Sequence, residues 1–158
     1  MSVERERGAP TAFDTLYSTE FAPIARLAYL IVRSPEVAEE LAQDSFMRLY
    51  ERFAEVQNPA GFLRTVVVRL ASTWCGRHAM EAQRVALMEH RGNADGPQVD
   101  ETWSALGRLR PERSTVLILR YYADMTHAEI AAALGCSAAT VRSRTRRALS
   151  DLRKELSP

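Results

Sequence analysis

Apolar residues recur every three or four positions along most of the chain, which is the spacing of amphipathic helices. Within residues 13–31 the stripe comprises Phe13, Leu16, Tyr17, Phe21, Ile24, Leu27, Ala28 and Ile31. This stripe predicts one or two helices, with Pro23 as a helix start or a kink. No segment shows the sustained apolar–polar alternation that is typical of strands. The pattern therefore predicts an all-α protein.

Two further helices have clear start signals. Ser34, Pro35 and Glu36 offer an N-cap, a proline in the first turn and an acid near the positive helix end. Asn58 and Pro59 form a second signal of the same kind. The helix after Ser34 has an apolar side made of Val37, Ala38, Leu41, Ala42, Phe46, Leu49, Tyr50 and Phe53. The helix after Asn58 is expected to bury Phe62, Leu63, Val66, Val67, Leu70 and Trp74.

The sequence RGNADGP at residues 91–97 is the clearest break in the pattern, because it concentrates glycine, proline, asparagine and aspartate. It predicts two small helical domains joined by a flexible linker. We expect a tail at 1–11, an N-terminal domain at 12–79, a linker at 80–98 and a C-terminal domain at 99–158. A linker of this kind leaves the orientation of the two domains to a partner.

A helix-turn-helix unit is predicted near the C-terminus. Thr126 and Glu129 have the spacing of a capping box, and Gly135 stands where a left-handed helix end is expected. Ser137 then caps a second helix, whose apolar stripe includes Val141. Two helices joined by a short turn with a glycine form the helix-turn-helix unit. Its second helix presents, away from the stripe, Thr140, Arg142, Ser143, Arg144, Arg146 and Arg147.

Net charge changes this picture little, but its distribution adds to it. The chain has 158 residues, with 21 basic and 20 acidic residues and a formal charge of +1. The excess of positive charge lies after residue 98, and every basic residue except Lys154 is an arginine. Arginine makes forked contacts to phosphates and guanine edges. The arginines of the second helix form either a solvated helix face or a surface that contacts DNA, and the helix-turn-helix context favours DNA.

Other chemistry is sparse. Cys75 and Cys136 are far apart in sequence and share no zinc-site spacing with histidines, so we expect no metal, no cofactor and a reducing compartment. A redox switch between them is a minor alternative. No nucleophile–base set suggests an enzyme. The N-terminus lacks a signal peptide and residues 27–32 are too few to span a membrane, which predicts a cytoplasmic protein without membrane insertion.

Four aromatic residues raise the question of base stacking. Trp74 lies on an apolar stripe, so we expect it to pack in a core. Trp103 is expected to pack beneath the helix-turn-helix unit. Of Tyr121 and Tyr122, at least one is predicted to be buried.

Residues 12–156 together resemble a bacterial extracytoplasmic-function (group IV) RNA polymerase sigma factor. AEELAQDSFMRLYERF at 38–53 is similar to the polymerase-binding helix of that family, and GFLRTVVVRLASTW at 61–74 is similar to its promoter-melting helix. The most specific match is residues 106–153, where TVRSRTRRAL follows EIAAALGCS as in region 4. The resemblance implies that the chain directs core RNA polymerase to promoter DNA.

Site residues follow from the resemblance by position. Those implied at the minus-35 element are Arg120, Ser137, Thr140, Arg142, Ser143, Arg146 and Arg147. Those implied at the minus-10 element are Asn58, Arg69 and Thr73. Asn58 lies in a loop at 55–60 that is similar to the family's loop that captures a flipped base, and Arg69 and Thr73 lie on the melting helix. Those implied to bind the polymerase are Gln43, Asp44, Met47 and Arg48. An anti-sigma factor is a further partner that the family implies.

Two residues depart from the family pattern. Relatives often have tryptophan where this chain has Phe62, and asparagine where it has Arg69. Arg69 retains the means to contact a single strand through phosphate or stacking. A rival interpretation is a stand-alone helix-turn-helix regulator whose N-terminal helices dimerise or sense a ligand, although no dimerisation heptad or ligand motif supports it.

Overall fold

Helices make up all the regular structure of the computed structural model, which describes residues 11–80 and 100–157. The N-terminal bundle consists of α1 (Ala12–Val32), α2 (Pro35–Arg52) and α3 (Pro59–Arg77). The C-terminal bundle consists of α4 (Glu101–Arg108), α5 (Pro111–Leu117), α6 (His127–Leu134) and α7 (Ala138–Leu156), with a π-helical turn at Ile118–Tyr122. The all-α prediction is confirmed. Apart from Met80, the predicted linker lies outside the described residues.

The predicted helix starts are confirmed by their capping hydrogen bonds. The Ser34 hydroxyl accepts from the Val37 amide, and the Asn58 side chain accepts from the Gly61 amide. The Thr126 hydroxyl accepts from the Glu129 amide at 3.1 Å. Each bond satisfies an amide that the first helical turn leaves without an internal partner. A further capping box, in which Thr11 and Asp14 bond to each other's amides, begins α1 and was not predicted.

Pro23 neither starts nor ends a helix. The stripe at 13–31 forms the single helix α1, which continues through Pro23. Proline removes one intrahelical bond, but Pro23 is exposed and lies outside the packed core. Ile24, Leu27 and Ile31 are buried on the side that faces α2 and α3. Packing of that side therefore holds the two halves of the stripe in one helix.

The core of the N-terminal bundle is formed by one apolar side of each helix. Leu49 from α2 and Leu63 and Val67 from α3 have no exposed surface. Full burial of a side chain of this size is worth about 1.5–3 kcal/mol. At the open end of the bundle, Phe13 makes edge-to-face contacts with Phe46, Phe53 and Tyr50. These contacts fix the start of α1 against the end of α2.

The C-terminal bundle confirms the helix-turn-helix prediction. Gly135 ends α6 with φ +70°, in the left-handed region that glycine adopts without strain. Ile130 of α6 and Val141 of α7 are fully buried between the two helices. The far half of α7 is tied to α5 by an ion pair between Arg113 and Asp151.

The tyrosine prediction was wrong, because Tyr121 and Tyr122 are 63% and 54% exposed. In an α-helix Tyr122 would follow Ile118 by four residues and share its buried side. Here the Ala123 amide bonds to the Ile118 carbonyl at 3.0 Å, which is the wider π-helical step. The extra residue in that turn places both tyrosines outward.

Tyr50 also differs from its predicted place on the apolar side of α2, since it is 69% exposed. Trp74 is half-buried against the core and stacks on His78 with ring centroids 4.6 Å apart, in line with the predicted packing role. Trp103 lines a groove together with Leu149 and Leu152 of α7, as expected for a residue beside the helix-turn-helix unit. Its ring lies beside Tyr29 of α1 and under the guanidinium of Arg33. The reason is that the two bundles pack against each other and Trp103 lies where they meet.

Contact between the bundles is direct. Helix α3 packs against α5 and α6, and α1 also contacts α5. The orientation of the two bundles is thus set within the chain by packing and by hydrogen bonds from arginines of the N-terminal bundle. This differs from the expectation that a partner alone sets the orientation.

Candidate nucleic-acid interface

Helix α7 has one buried side and one arginine-rich side. Val141, Thr145 and Ala148 are at most 7% exposed and pack into the C-terminal bundle. The Thr145 hydroxyl donates to the Val141 carbonyl at 2.8 Å, so its polar atom is satisfied inside the helix. Arg142 and Arg146 lie on the opposite side and are exposed. The helical spacing that buries the stripe therefore exposes the arginines.

The predicted minus-35 residues fall into two groups. The exposed side chains are Arg142, Arg146 and Arg147, while Ser143 is half-buried beside them. Ser137 and Thr140 instead form the helix start, where the Ser137 hydroxyl accepts from the Thr140 amide at 3.1 Å and lies 2.9 Å from the Thr140 hydroxyl. These two residues orient α7 and remain near its exposed N-terminal end.

Arg120 lies apart from α7, on the π-helical turn. It is half-buried, and its guanidinium lies 3.9 Å from the Asp124 carboxylate. The structure thus places Arg120 on the element that leads into the helix-turn-helix unit.

The acidic residues of α7 are kept away from its arginine-rich side. Asp151 pairs with Arg113 of α5, and Glu155 pairs with Arg108 of α4 at 2.7 Å. Both acids lie in the second half of the helix. The first three turns carry Arg142, Arg144, Arg146 and Arg147 and no carboxylate. These turns therefore present a cluster of positive charge. A second helix of this kind has the dimensions and chemistry to enter a DNA major groove.

The predicted minus-10 residues lie on α3 and at its start. Asn58 caps α3 through its side-chain oxygen, which accepts from the Gly61 amide at 3.1 Å. Thr73 is exposed, one turn after Arg69 on the same helix. The guanidinium of Arg69 donates to the carbonyls of Ala133 and Ala132 in α6, at 3.1 and 3.0 Å. The structure thus brings Arg69 and Thr73 onto one face, with Arg69 already bonded to the C-terminal bundle.

The predicted polymerase-binding residues form one exposed surface on α2. Gln43 and Met47 lie one turn apart, and Met47 is 66% exposed. Asp44 and Arg48 also lie one turn apart, with 3.7 Å between their charged groups. At this exposure such a pair adds little stability. Its carboxylate and guanidinium are therefore accessible to a partner.

Sequence reasoning missed the aromatic part of this surface. A shallow groove of about 350 Å³ is lined by Phe13, Tyr17, Gln43, Phe46, Met47, Tyr50 and Glu51. We call this groove the α2 patch. Tyr50 was placed on the apolar side of α2 together with Phe46 and Leu49. The signal that would have found it is the adjacent Leu49, which already fills the core position.

The described residues contain no cluster of side chains suited to holding a metal ion. Cys75 is buried and its thiol lies 3.5 Å from the Ile31 carbonyl. Burial raises the pKa of the Cys75 thiol to about 11, which disfavours the reactive thiolate. This environment does not suit the redox alternative. Among the helices described, none is long and apolar enough to cross a membrane.

A helix-turn-helix unit with an exposed arginine-rich second helix, on an all-helical chain, defines a DNA-binding protein. Comparisons with known proteins indicate the family within this class of DNA-binding proteins. Residues 16–80 match the family described as sigma-70 region 2, and residues 100–152 match sigma-70 region 4. The chain is 30% identical over 156 residues to the RNA polymerase sigma-E factor of Streptomyces avermitilis, covering 94% of this chain and 87% of that protein.

Other similar proteins are also named as sigma factors. The chain is 27% identical over 155 residues to the ferric citrate uptake sigma factor FecI of Escherichia coli, with 90% of this chain and 89% of that protein covered. It is 29% identical to the probable RNA polymerase sigma factor RfaY of Xanthomonas campestris and spans 41% of that protein's length. A solved structure of the sigma factor RpoE with the anti-sigma factor NepR from Bartonella quintana has the same fold, with a TM-score of 0.67 at 19% identity, over 91% of this chain and 96% of that one.

The chain belongs to the sigma-70 family and is an RNA polymerase sigma factor of the extracytoplasmic-function group. The stand-alone regulator is not favoured, because residues 16–80 match sigma-70 region 2 in addition to the match of residues 100–152 to region 4.

Proposed function

We propose that this sigma factor brings core RNA polymerase to its promoters through three surfaces: the arginine-rich side of α7, the outer face of α3 with the preceding loop, and the α2 patch. It works in the cytoplasm and catalyses no reaction itself. Residues 12–79 and 99–158 act as its two functional domains. The observation that carries the proposal is the exposure of Arg142, Arg146 and Arg147 on a helix-turn-helix unit whose opposite side is buried.

The minus-35 element is read by α7. Arg142 and Arg146, one turn apart and exposed, lie where side chains enter the major groove and contact base edges. Ser143 and Arg147 lie beside them and contact phosphates, which fix the register without reading sequence. Ser137 and Thr140 hold the N-terminal end of α7 toward the duplex, and Arg120 adds a contact from the preceding turn.

The minus-10 element is opened and held by the loop and by α3. Unstacking a base costs a few kcal/mol, so the protein must supply contacts to the unpaired strand. Arg69 and Thr73 lie on one face of α3 and supply a guanidinium and a hydroxyl for that strand. Asn58 stands at the loop end of the same helix, where its side-chain amide is exposed.

Core polymerase binds the α2 patch together with Gln43, Asp44 and Arg48. Exposed apolar side chains rimmed by charged groups are typical of protein interfaces, and Met47 and Tyr50 provide the apolar centre. An anti-sigma factor that covers these surfaces would keep the chain inactive. Its test is whether a protein co-purifying with the chain blocks polymerase binding.

Transcription in vitro tests the proposal. Purified chain and core polymerase are incubated with fragmented genomic DNA, and the 5′ ends of the transcripts are sequenced. We expect new start sites that share two spaced upstream elements. These start sites should vanish with the Arg142→Ala, Arg146→Ala double variant and persist with Arg153→Ala, which removes an exposed arginine from the last turn of α7. Start sites that survive the double variant would contradict the assignment of α7.

A further inference from the structure

The first turn of α7 carries an alanine at the centre of its outward-facing side. Ala139 is the second residue of the helix, and it is exposed. At about 100° per residue it lies about 180° around the helix from the buried Ala148. Ser143 and Arg146, four and seven residues further along, share its side of the helix. Ala139 therefore lies in line with residues that are proposed to contact the minus-35 duplex.

The side chains around Ala139 are short. Ala138 and Thr140 complete the first turn of α7, and Ser137 caps it. The long side chains of this helix begin at Arg142. In a helix-turn-helix unit the N-terminal residues of the second helix contact base edges. A first turn without long side chains lets that end of the helix come close enough for a β-carbon to touch a base.

The helix cap fixes the direction of the Ala139 side chain. The Ser137 hydroxyl accepts from the Thr140 amide at 3.1 Å and lies 2.9 Å from the Thr140 hydroxyl. The Val141 amide donates to the Ser137 carbonyl at 3.1 Å, and the Val141 side chain is fully buried. These contacts hold the backbone of Ala139 in helical geometry, so its methyl group is presented at a fixed angle.

The methyl group of alanine neither donates nor accepts a hydrogen bond, so it can recognise only another apolar group. In the major groove, the 5-methyl group of thymine is the apolar group that distinguishes one base from the others. We infer that Ala139 is a specificity-determining residue whose methyl group packs on the 5-methyl group of a thymine in the minus-35 duplex. This inference rests on the proposed function and deepens it, because it names a base that α7 recognises.

The geometry of α7 limits where this thymine lies. Ala139 and Arg142 are three residues apart, which is ~4.5 Å along the helix axis at about 1.5 Å per residue. Arginine at such a position contacts guanine through O6 and N7. Successive base pairs are ~3.4 Å apart, so we expect the thymine within about three base pairs of the guanine that Arg142 contacts.

The same contact has a consequence for modified DNA. 5-Methylcytosine carries its methyl group at the same ring position as thymine. Ala139 should therefore favour 5-methylcytosine over cytosine by the factor with which it favours thymine over uracil. Burial of one such carbon changes a binding constant about fourfold.

Binding of the holoenzyme to modified duplexes tests the assignment. The full chain with core polymerase is titrated against promoter duplexes taken from the mapped start sites, with fluorescence anisotropy as the measure. Each minus-35 thymine is replaced in turn by deoxyuridine, which differs only by the missing methyl group. We expect one replacement near the guanine contact to weaken binding about fourfold. At that position, deoxycytidine and 5-methyldeoxycytidine should differ by the same factor.

Two glycine variants separate the base contact from an effect on the helix. Ala139→Gly removes the methyl group and should bind the thymine and uracil duplexes equally well. Ala138→Gly is the matched control, because it has the same effect on helix propensity in the same turn but removes a methyl group that packs against the core. This control should retain the difference of about fourfold between the two duplexes, whatever its overall affinity.

Three results would overturn the role of Ala139: a minus-35 element without a thymine on either strand in that range, a wild type that binds every deoxyuridine duplex as tightly as the parent, or an Ala139→Gly variant that keeps the full difference. Loss of the difference in Ala138→Gly would overturn it too, because the helical turn rather than the methyl group would then cause it. The proposed function fails separately if binding to the parent duplex does not depend on Arg142 and Arg146. Binding that depends on both arginines but not on the methyl group leaves the proposed function standing and overturns only this inference.

Discussion

Alanine in place of three glycines tests the backbone strain at the turn of the helix-turn-helix unit, with Gly135 in that turn and Gly61 and Gly76 in α3 for comparison. Gly135 has φ +70°, whereas Gly76 lies within the last turns of α3. A Cβ added at either position meets no atom within 4 Å. Gly61 differs, because a Cβ there would lie 2.7 Å from the amide nitrogen of Asn58. Replacement by alanine thus tests backbone conformation at Gly135 and steric contact at Gly61. Gly76 has neither constraint and serves as the reference site.

The expected free energies of unfolding follow from these differences. Gly76→Ala gains helix propensity, which near a helix end is worth about 0.5 kcal/mol. Gly135→Ala places a Cβ in the left-handed region at a cost of about 1–2 kcal/mol, partly offset by a less flexible unfolded chain, so we expect a net loss of about 1 kcal/mol. Gly61→Ala gains about 1 kcal/mol of propensity and loses about as much when the Asn58 cap swings away.

Thermal and urea unfolding, followed by circular dichroism, rank the three variants. The melting temperature should rise by about 2 °C for Gly76→Ala, stay within about 1 °C for Gly61→Ala, and fall by about 3 °C for Gly135→Ala, at 2–4 °C per kcal/mol for a chain of this size. A shift of the same sign for Gly76→Ala and Gly135→Ala would refute the reasoning, because neither added Cβ meets an atom within 4 Å and the two backbone conformations predict opposite signs.

The remaining predictions concern the interface and the thiols. Arg146→Ala should weaken binding to a mapped minus-35 duplex by about 5- to 100-fold, as expected for loss of a base contact, with a fluorescence anisotropy titration as the measure. Tyr50→Ala should weaken core polymerase binding at least tenfold in pull-down titrations, whereas Tyr121→Ala, an equally exposed tyrosine outside the α2 patch, should not. Cys136 should react with a thiol reagent in the native protein and Cys75 only on unfolding. Since the pKa of Cys75 is raised from 9.0 to about 11, its contribution to stability is complete below pH 9 and falls as the pH rises toward 11, which unfolding at a series of pH values measures.

Local features of the fold were predictable from the sequence because their causes are local. Ser34, Asn58, Thr126 and Ser137 each bond to the amide three residues further along, within the first helical turn. Gly135 ends α6 for a reason contained in one residue's backbone. Such interactions need no knowledge of the rest of the chain, so residue type and spacing were enough.

The errors have long-range or non-periodic causes. Burial of Tyr121 or Tyr122 was predicted, but the π-helical turn adds a residue and both side chains are exposed. For Trp103 the sequence did not indicate the contacts with Tyr29 and Arg33 of α1 at the junction of the bundles. No sequence pattern near Trp103 indicates which helix of the other bundle it meets.

The role of Arg69 could be predicted from the sequence only in part. The sequence indicates its chemistry correctly: a charged, planar fork of donors on the outer face of α3. A phosphate, an unpaired base and the carbonyl end of a helix all fit that fork, and only the fold brings the last of these within 3.1 Å. In the structure the Ala132 and Ala133 carbonyls of α6 accept from these donors. Family relatives with asparagine at this position have a shorter side chain and no charge to place there. The residue that departs from the family pattern in the sequence is therefore also one that joins α3 to α6.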